Sequence, residues 1–591
     1  MSARFGVLLV VVTLAAGIAG GGGWPPAARA AGIVTVTSTA DTAGTCPHPG
    51  NCTLRAAIAA VNSGGASTIR FDAAIFPAAA PAVISVGSSP LPPLTADGAT
   101  IDGSGSGVIL RSASASLSVP HDGLRVTGSG ATVRGLTFEG FSGVCLHAEG
   151  ANATVGSPAA PNQFHDCGVA IRVAGTAGTV AGNDISADPA SLPDAIGILV
   201  SGSNVTIGGA GAARNAVEGT AIGIRVTGGS ALVAGVTIEN NSFRRVSSAC
   251  VDLAAGSSGT KVRDNAFEDC GSGIVVDPVT EPAPVDGNSF TGNTFVGIRG
   301  LAIDLGADGV RNPPGQAPPG PNGWVAYPAI ARATPSGIEG TTCPGCRVEI
   351  YLASHTPGGQ TDYGTAPLGP PATADASGRF SVAATVSPGQ WLVALATDAQ
   401  GNTSEFSPPA RVGSGAVVCG NVQLLPGWNH VAYFGSTPLI LGDAFPSSAS
   451  PVVVAIYQAI DGSMQYRRWL AATPAGRTLA VLEPGREYWF LATAPVTLPG
   501  GFSVSFPVPV TLQQGWNDLV YIGGSADPRD ALASLEGRLI EVAKWDAATQ
   551  RWRRFGDGTA PAWATGFDLV EACATYQVRV SEAVTLQPLQ P

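Results

Sequence analysis

The chain has 591 residues, of which only 12% are charged, with 79 glycines, 46 prolines and a net charge of −11. An average soluble domain carries about 25% charged residues, so this composition argues against long surface helices, and the lack of a basic stripe argues against a nucleic-acid partner. Many short strands with tight corners remain, an all-β chain whose length allows about four domains of ~150 residues.

At the N-terminus, Arg4 precedes an apolar run from Phe5 to about Ile18, and Ala28-Arg29-Ala30 offers a small-residue cleavage site. Residues 1–30 therefore read as a secretory signal peptide. A membrane span would need roughly 20 uninterrupted apolar residues, and Gly20 to Gly23, Trp24, Pro25 and Pro26 interrupt this one. No later segment is apolar enough to span, so the expected product is secreted or held at the cell surface.

The ten cysteines fall into neighbours along the chain: Cys46 with Cys52, Cys145 with Cys167, Cys250 with Cys270, Cys343 with Cys346, and Cys419 left for Cys573. An even count in an exported protein favours disulfides, although order alone does not fix connectivity. Zinc at Cys343-Pro344-Gly345-Cys346 is disfavoured because no second ligand pair follows nearby.

From Asn162 to Leu305 an Asn-x-(Phe, Ile or Val) unit recurs at Asn162, Asn183, Asn215, Asn241, Asn265 and Asn288, in steps of 21, 32, 26, 24 and 23 residues. Periods of that size announce a solenoid. Short alternating strands follow most units: Val169, Ile171 and Val173; Ile196, Ile198 and Val200; Ile222, Ile224 and Val226; Ile274 and Val276. Alternation sends these side chains to one face and Arg172, Arg225 and Val275 to the other. One coil cannot bury its own apolar face, so stacked coils must make the core, with Asn able to hydrogen-bond up the stack. The long step after Asn183 predicts a loop leaving the wall over 187–193. Residues 76–305 are thus expected to form a right-handed parallel β-helix.

A solenoid needs a cap. Val34-Thr35-Val36-Thr37-Ser38-Thr39-Ala40-Asp41, followed by Cys52-Thr53-Leu54-Arg55-Ala56-Ala57-Ile58, resembles the CSLREA domain that opens many bacterial surface β-helix proteins of the pectin-lyase-like kind. Ala56 stands where that family usually has Glu. The resemblance implies a cap over 31–75 with a short helix from Ala56 to Val61, and it continues to Leu301-Ala302-Ile303-Asp304-Leu305-Gly306, which looks like the end of the family's helix.

Residues 306–323, rich in Pro and Gly, read as an extended linker. Strand-like runs over 347–351, 378–382 and 391–395 follow, and 396–405 is similar to the closing motif of bacterial immunoglobulin-like domains, implying a β-sandwich over 324–411 that acts as a spacer. The remainder, 412–591, contains a duplication: Gly427-Trp428-Asn429 matches Gly515-Trp516-Asn517, Tyr433 matches Tyr521, Tyr488 matches Tyr576, and Val496-Thr497-Leu498 matches Val584-Thr585-Leu586, every offset being 88. Trp428 and Trp516 at matched positions suit either core packing or a platform for sugar rings.

The β-helix fold hosts polysaccharide lyases and hydrolases, but fold alone does not assign chemistry. Hydrolysis of a glycosidic bond needs two facing carboxylates, and elimination from a uronic acid needs calcium and a base. Candidates on outward positions are Arg172, Arg225 and Asp252, with His165-Asp166 and Glu268-Asp269 at corners. Asp166, Arg225 and Asp252 are the catalytic candidates, and Arg172, Arg225, Trp428 and Trp516 the ligand-binding ones. A surface ion pair between Arg225 and Asp252 explains both without catalysis. His121, His147 and His165 are scattered, and the paired Asp and Gly-His-Gly of polygalacturonases are absent. No cofactor is required; calcium is a candidate at Asp304, Asp308, Asp398 and Asn402, with Glu405 nearby, though turn chemistry explains these residues equally. The leading expectation is a secreted or surface-associated structural or adhesion protein that binds extracellular polysaccharide or the envelope. The alternative is a polysaccharide lyase or hydrolase. Three or more carboxylates gathered near Asp166, Asp184 or Asp252 would favour the enzyme, and a flat wall of Ser, Thr, Gly and Ala the scaffold.

Overall fold

A computed structural model describes residues 32–46, 51–113, 120–229, 231–278, 285–316, 320–357, 361–413, 417–446, 448, 450–460, 465–504, 508–556 and 566–589. The expected signal peptide lies outside them. No described helix is long and apolar enough to cross a membrane.

The N-terminal half is a parallel β-solenoid with three walls. Sheet I has ten strands from Ile33–Val36 to Ser289–Thr291, sheet II nine from Ala82–Val86 to Thr294–Val296, and sheet III eight from Leu124–Val126 to Ile303–Leu305. Alternation turns one residue of each short strand inward, and parallel register stacks it on its equivalent in the next coil. Sheet III thus runs Ile171, Ile198, Ile224, Val251, Ile274, Ile303 up one column. Sheet II adds stacked rings, Phe138 on Phe164 at 5.0 Å and Phe243, Phe267 and Phe295 at 5.1 and 4.9 Å. All belong to one continuous core. Val169, Ile196 and Ile222 stack at the half-buried start of the sheet III strands. Cys145–Cys167 and Cys250–Cys270 tie successive coils within this core. Residues 188–191 form an exposed loop, where the long step occurs.

The corner before sheet II carries a buried asparagine ladder. Each amide Nδ2 donates to the next Oδ1: Asn162 to Asn183 at 3.1 Å, Asn183 to Asn215 at 2.9 Å, Asn215 to Asn241 at 2.9 Å, Asn241 to Asn265 at 3.1 Å and Asn265 to Asn293 at 3.1 Å. The same Nδ2 groups also donate to carbonyls of an earlier coil, such as Asn215 to Val180. The sixth rung is Asn293, not the expected Asn288. Asn288 precedes a sheet I strand, and its Oδ1 accepts from the Thr260 amide. Both asparagines introduce an Asn-x-Phe unit, and only their corner distinguishes them.

At the N-terminal end, helix Leu54–Asn62 closes the core with Leu54, Ala57, Ile58 and Val61, and the Thr53 hydroxyl caps it by accepting from the Ala56 amide. Arg55 anchors it through two bonds to Asp41, both 2.9 Å, and two to the carbonyls of Ser89 and Pro90. Cys46–Cys52 closes the approach.

The other end corrects two expectations. The segment 324–411 folds as two antiparallel sheets over a core of Val348, Ile350, Phe380 and Leu392. Its strands Arg347–Ser354 and Trp391–Thr397 are buried on both faces, because Tyr351, Val393 and Leu395 face the solenoid and join its core. The segment is therefore a cap on the last coil, rather than only a spacer. It supplies acceptors to amides that the end of a stack leaves without partners: Asn402 Oδ1 to Gly287, Thr403 Oγ1 to Phe290, Glu349 and Tyr351 to Gly292, Tyr363 to Ile298 and Glu405 to Leu305. Nor are the described parts of the expected linker, 306–316 and 320–323, free of the fold. Asn312 donates through its amide and Nδ2 to Glu405, and Asn322 bridges Asn288 and Thr403, so side-chain bonds hold a Pro- and Gly-rich stretch against the joint.

Burial pushes the Glu405 carboxyl up to about 7, against its bonds from Leu305 and Asn312. With an unfolded value near 4.5, the native state holds the extra proton between those pH values. The contribution is thus fully present below about 4.5 and is lost as pH rises through about 7. The midpoint for loss of the joint is expected to fall over that range, and Glu405→Gln to flatten the dependence when thermal unfolding is followed at successive pH values.

The tail consists of two antiparallel four-stranded sheets of the same order. The first is Gly427–Ala432, Glu487–Ala492, Val453–Ala459, Tyr466–Leu470, and the second Gly515–Tyr521, Ala574–Val580, Leu539–Asp546, Arg551–Gly556. Each has its own core, and Cys419–Cys573 joins the copies. Cys343–Cys346 lies in the preceding module.

Candidate functional site

Sheet III presents one outward column, in rung order Arg125, His147, Arg172, Leu199, Arg225, Asp252, Val275 and Asp304. Strand alternation makes this face, and parallel register spaces its members by about 4.8 Å.

The lower cluster is basic. Arg125 makes two bonds to Glu149, of 2.6 and 2.7 Å, and His147 Nδ1 lies 3.0 Å from Glu149 Oε1. Burial, aided by the charges of Arg172 and Arg125, pushes His147 below its ordinary value against the pull of Glu149, while the Arg125 hydrogen bond holds Glu149 down. Arg172 differs from its neighbours: among the described residues no carboxylate forms an ion pair with it, and its buried Nε has no hydrogen-bond acceptor.

The upper cluster is acidic. Arg225 reaches Asp252 Oδ2 with Nε at 2.7 Å and with a terminal nitrogen at 2.6 Å, and among the described residues the buried Oδ1 has no hydrogen-bond partner. Burial raises Asp252 despite Arg225, and raises Asp277 further along the same wall, which Asp252 pushes up in addition. Asp304, two rungs from Asp252, is raised by burial and accepts from the Gly309 amide.

Asp166 stands apart from this acidic group. It occupies the left-handed corner between sheets II and III, at φ 51°, on the rung of Arg172, and its Oδ1 accepts from the Asp188 amide. Asp269 fills the equivalent corner at φ 53°. His165 bonds Ser186 at 2.8 Å, and His121 lies between Ser112 and the Gly87 carbonyl. Asp184 begins a sheet II strand with its side chain exposed.

The loop oxygens expected as calcium ligands make local hydrogen bonds. Asp308 accepts from Val310, Asp398 from the Gln400 and Asn402 amides and Asn402 Nδ2, and Asn402 Oδ1 accepts from Gly287. These are turn and capping contacts. Among the described residues, the one group of three or more His, Cys, Asp or Glu with ligand atoms within 4.8 Å of one another is elsewhere, in the tail.

The two matched tryptophans have different surroundings. Trp428 is half-buried between the copies, 6.0 Å from Tyr457 and 6.3 Å from Trp489, and its carbonyl accepts from Trp545 and Gln550. Trp516 is 49% exposed, with the Arg579 guanidinium 6.0 Å from its ring.

Two features escaped sequence reasoning. Glu149 and Asp277 lie just past strand ends, where alternation no longer marks them. On sheet I, Thr68, Thr100, Thr132, Thr154, Thr179, Thr206 and Thr237 occupy one column in register, each half-buried. The recurring Thr-(Ile or Val) pair was its available signal. A shallow depression of about 290 Å³ beside Pro81, Ser104, Ser106, Thr137 and Gln163 has no charged side chain in its lining.

A family model described as a right handed beta helix region matches residues 122–302. No curated protein matches the sequence. Among solved structures, a tailspike protein mutant of E. coli bacteriophage HK620 in complex with a pentasaccharide is similar at 11% identity and a TM-score of 0.21, covering 62% of this chain and 92% of that one.

Proposed function

We propose that the chain is an exported, surface-associated β-helix scaffold that binds acidic extracellular polysaccharide along sheet III without cleaving it. The observation that carries this reading is Arg172, a wall cation lacking an ionic partner among the described residues, between His147 and Leu199. A uronate carboxylate is its chemical complement, since guanidinium and carboxylate form charge-assisted bonds. Arg125 and Arg225 are already engaged, so the binding charge centres on one rung. The threonine column of sheet I suits the scaffold reading as well. In this reading residues 1–30 direct export, 31–75 are a CSLREA-type cap and 324–411 an immunoglobulin-like module, consistent with the short helix and the paired antiparallel sheets. Five disulfides suit an oxidising compartment.

The test is affinity electrophoresis of the mature protein in gels containing polygalacturonate or neutral xylan, alongside assays for unsaturated and reducing ends. Retention by polygalacturonate alone, with no ends released, is expected. Arg172→Ala should weaken it about tenfold or more, the worth of one bond to a charged group. Equal retention of Arg172→Ala and wild type overturns the proposal.

One observation favours a second reading, as a polysaccharide-cleaving enzyme: burial raises both Asp252 and Asp277, which sit on neighbouring rungs beside Arg225. Glycoside hydrolysis uses two carboxyl groups, one as acid and the other as base or nucleophile. Release of chain ends that disappears in Asp252→Asn would establish that reading instead.

A further inference from the structure

Where the two tail copies meet, residues at the same repeat position come together. His430 follows Gly427-Trp428-Asn429, and Asp518, 88 residues on, follows Gly515-Trp516-Asn517. They converge with Glu487, and the ligand atoms of the three lie within 4.8 Å of one another. Strand pairing sets this out: His430 lies opposite Trp489 in the first sheet, Glu487 projects two residues before Trp489, and Asp518 lies opposite Gln577 in the second.

We propose that His430, Glu487 and Asp518 form a binding site for one divalent transition-metal ion of the zinc type, which ties the two copies of the tail together. One imidazole and two carboxylates are a recognised donor set for such an ion, with water completing the coordination. His430 is the observation that points to a ligand. Its side chain is 1% exposed, its Nε2 faces Glu487 Oε2 at 3.5 Å, and among the described residues its buried Nδ1 has no hydrogen-bond partner. The Nε2–Oε2 separation is close to that of two ligands on a single zinc ion.

Neighbouring side chains hold two of the ligands in place. The Trp489 ring stacks on His430 at 4.5 Å and 9°, and Gln577 donates to Asp518 Oδ1 at 3.1 Å. The Glu487 and Asp518 carboxyls lie side by side, and a divalent ion held between them would neutralise both. Tetrahedral ligands about 2 Å from zinc stand roughly 3.3 Å apart, so a small rotation of the exposed Asp518 would complete the shell. With every described cysteine in a disulfide, thiolates do not compete.

The test uses the tag-free mature protein, stripped with chelator and titrated with zinc chloride by calorimetry and by thermal unfolding. One zinc per chain is expected, with the melting temperature rising by several degrees at a hundredfold excess over the dissociation constant. Asp518→Asn, at an exposed position that leaves the fold intact, should lower affinity at least tenfold, and Glu487→Gln should do likewise. The zinc absorption edge should report nitrogen and oxygen ligands including one imidazole. Absence of a stoichiometric site in the wild type, or unchanged affinity in Asp518→Asn, overturns the proposal.

Discussion

Replacing Asn215 with alanine is expected to destabilise the solenoid by about 3–5 kcal/mol, at roughly 1–3 kcal/mol for each buried polar group left unmatched. Asn215 sits mid-ladder. Its Oδ1 accepts from both the amide and the Nδ2 of Asn183, and its Nδ2 donates to Asn241 Oδ1 and the Val180 carbonyl. Alanine removes all four bonds in a site that is closed to water. Aspartate should be no better, because it offers acceptors only and would bring a charge against Asn241 Oδ1. Urea unfolding followed by a probe of the solenoid measures the loss; a change below about 1 kcal/mol would mean that the ladder records the turn geometry without contributing to stability.

The second large effect is expected at the joint. Phe406 is buried, edge-on to Phe295 at 5.8 Å and to Tyr351 at 5.3 Å, and so connects the last coil to its cap. Phe406→Ala should cost about 3–5 kcal/mol, as Phe-to-Ala changes in cores do. Because coils interact only with neighbours, the damage should remain local. Hydrogen exchange should accelerate at Gly292, Ile298 and Leu305, whose amides bond to cap side chains, and change little near Asn183. Uniform acceleration along the solenoid would show that cap and coils unfold as one unit.

The solenoid was legible because its signals are local and repeated: an asparagine at a corner, then alternating Val and Ile. The duplication was legible because an offset of 88 can be checked by subtraction. Asn288 was misplaced because Asn288-Ser289-Phe290 and Asn293-Thr294-Phe295 carry the same signal, and only three-dimensional register says which corner each turns. Residues 306–323 resembled a linker by composition, but two asparagines anchor them to partners as far as 93 residues away. The cap escaped for a similar reason. Its acceptors come from Glu349, Tyr363, Asn402 and Glu405, and nothing short-range shows that the second face of their sheet meets another core.

Within the candidate site, register alone paired Arg225 with Asp252. It did not reveal Glu149 or Asp277, which lie where the strands end. In the tail the two copies share Gly-Trp-Asn and then differ over three positions, His430-Val431-Ala432 in one and Asp518-Leu519-Val520 in the other, so the motif alone does not single out His430 and Asp518.

The closure of both ends of the stack, by the helix at one and the two-sheeted module at the other, has a consequence for reach. With the helix over one end of the core and the module over the other, the span is set by the count of coils between them. Ten rungs at about 4.8 Å set a length of roughly 43 Å.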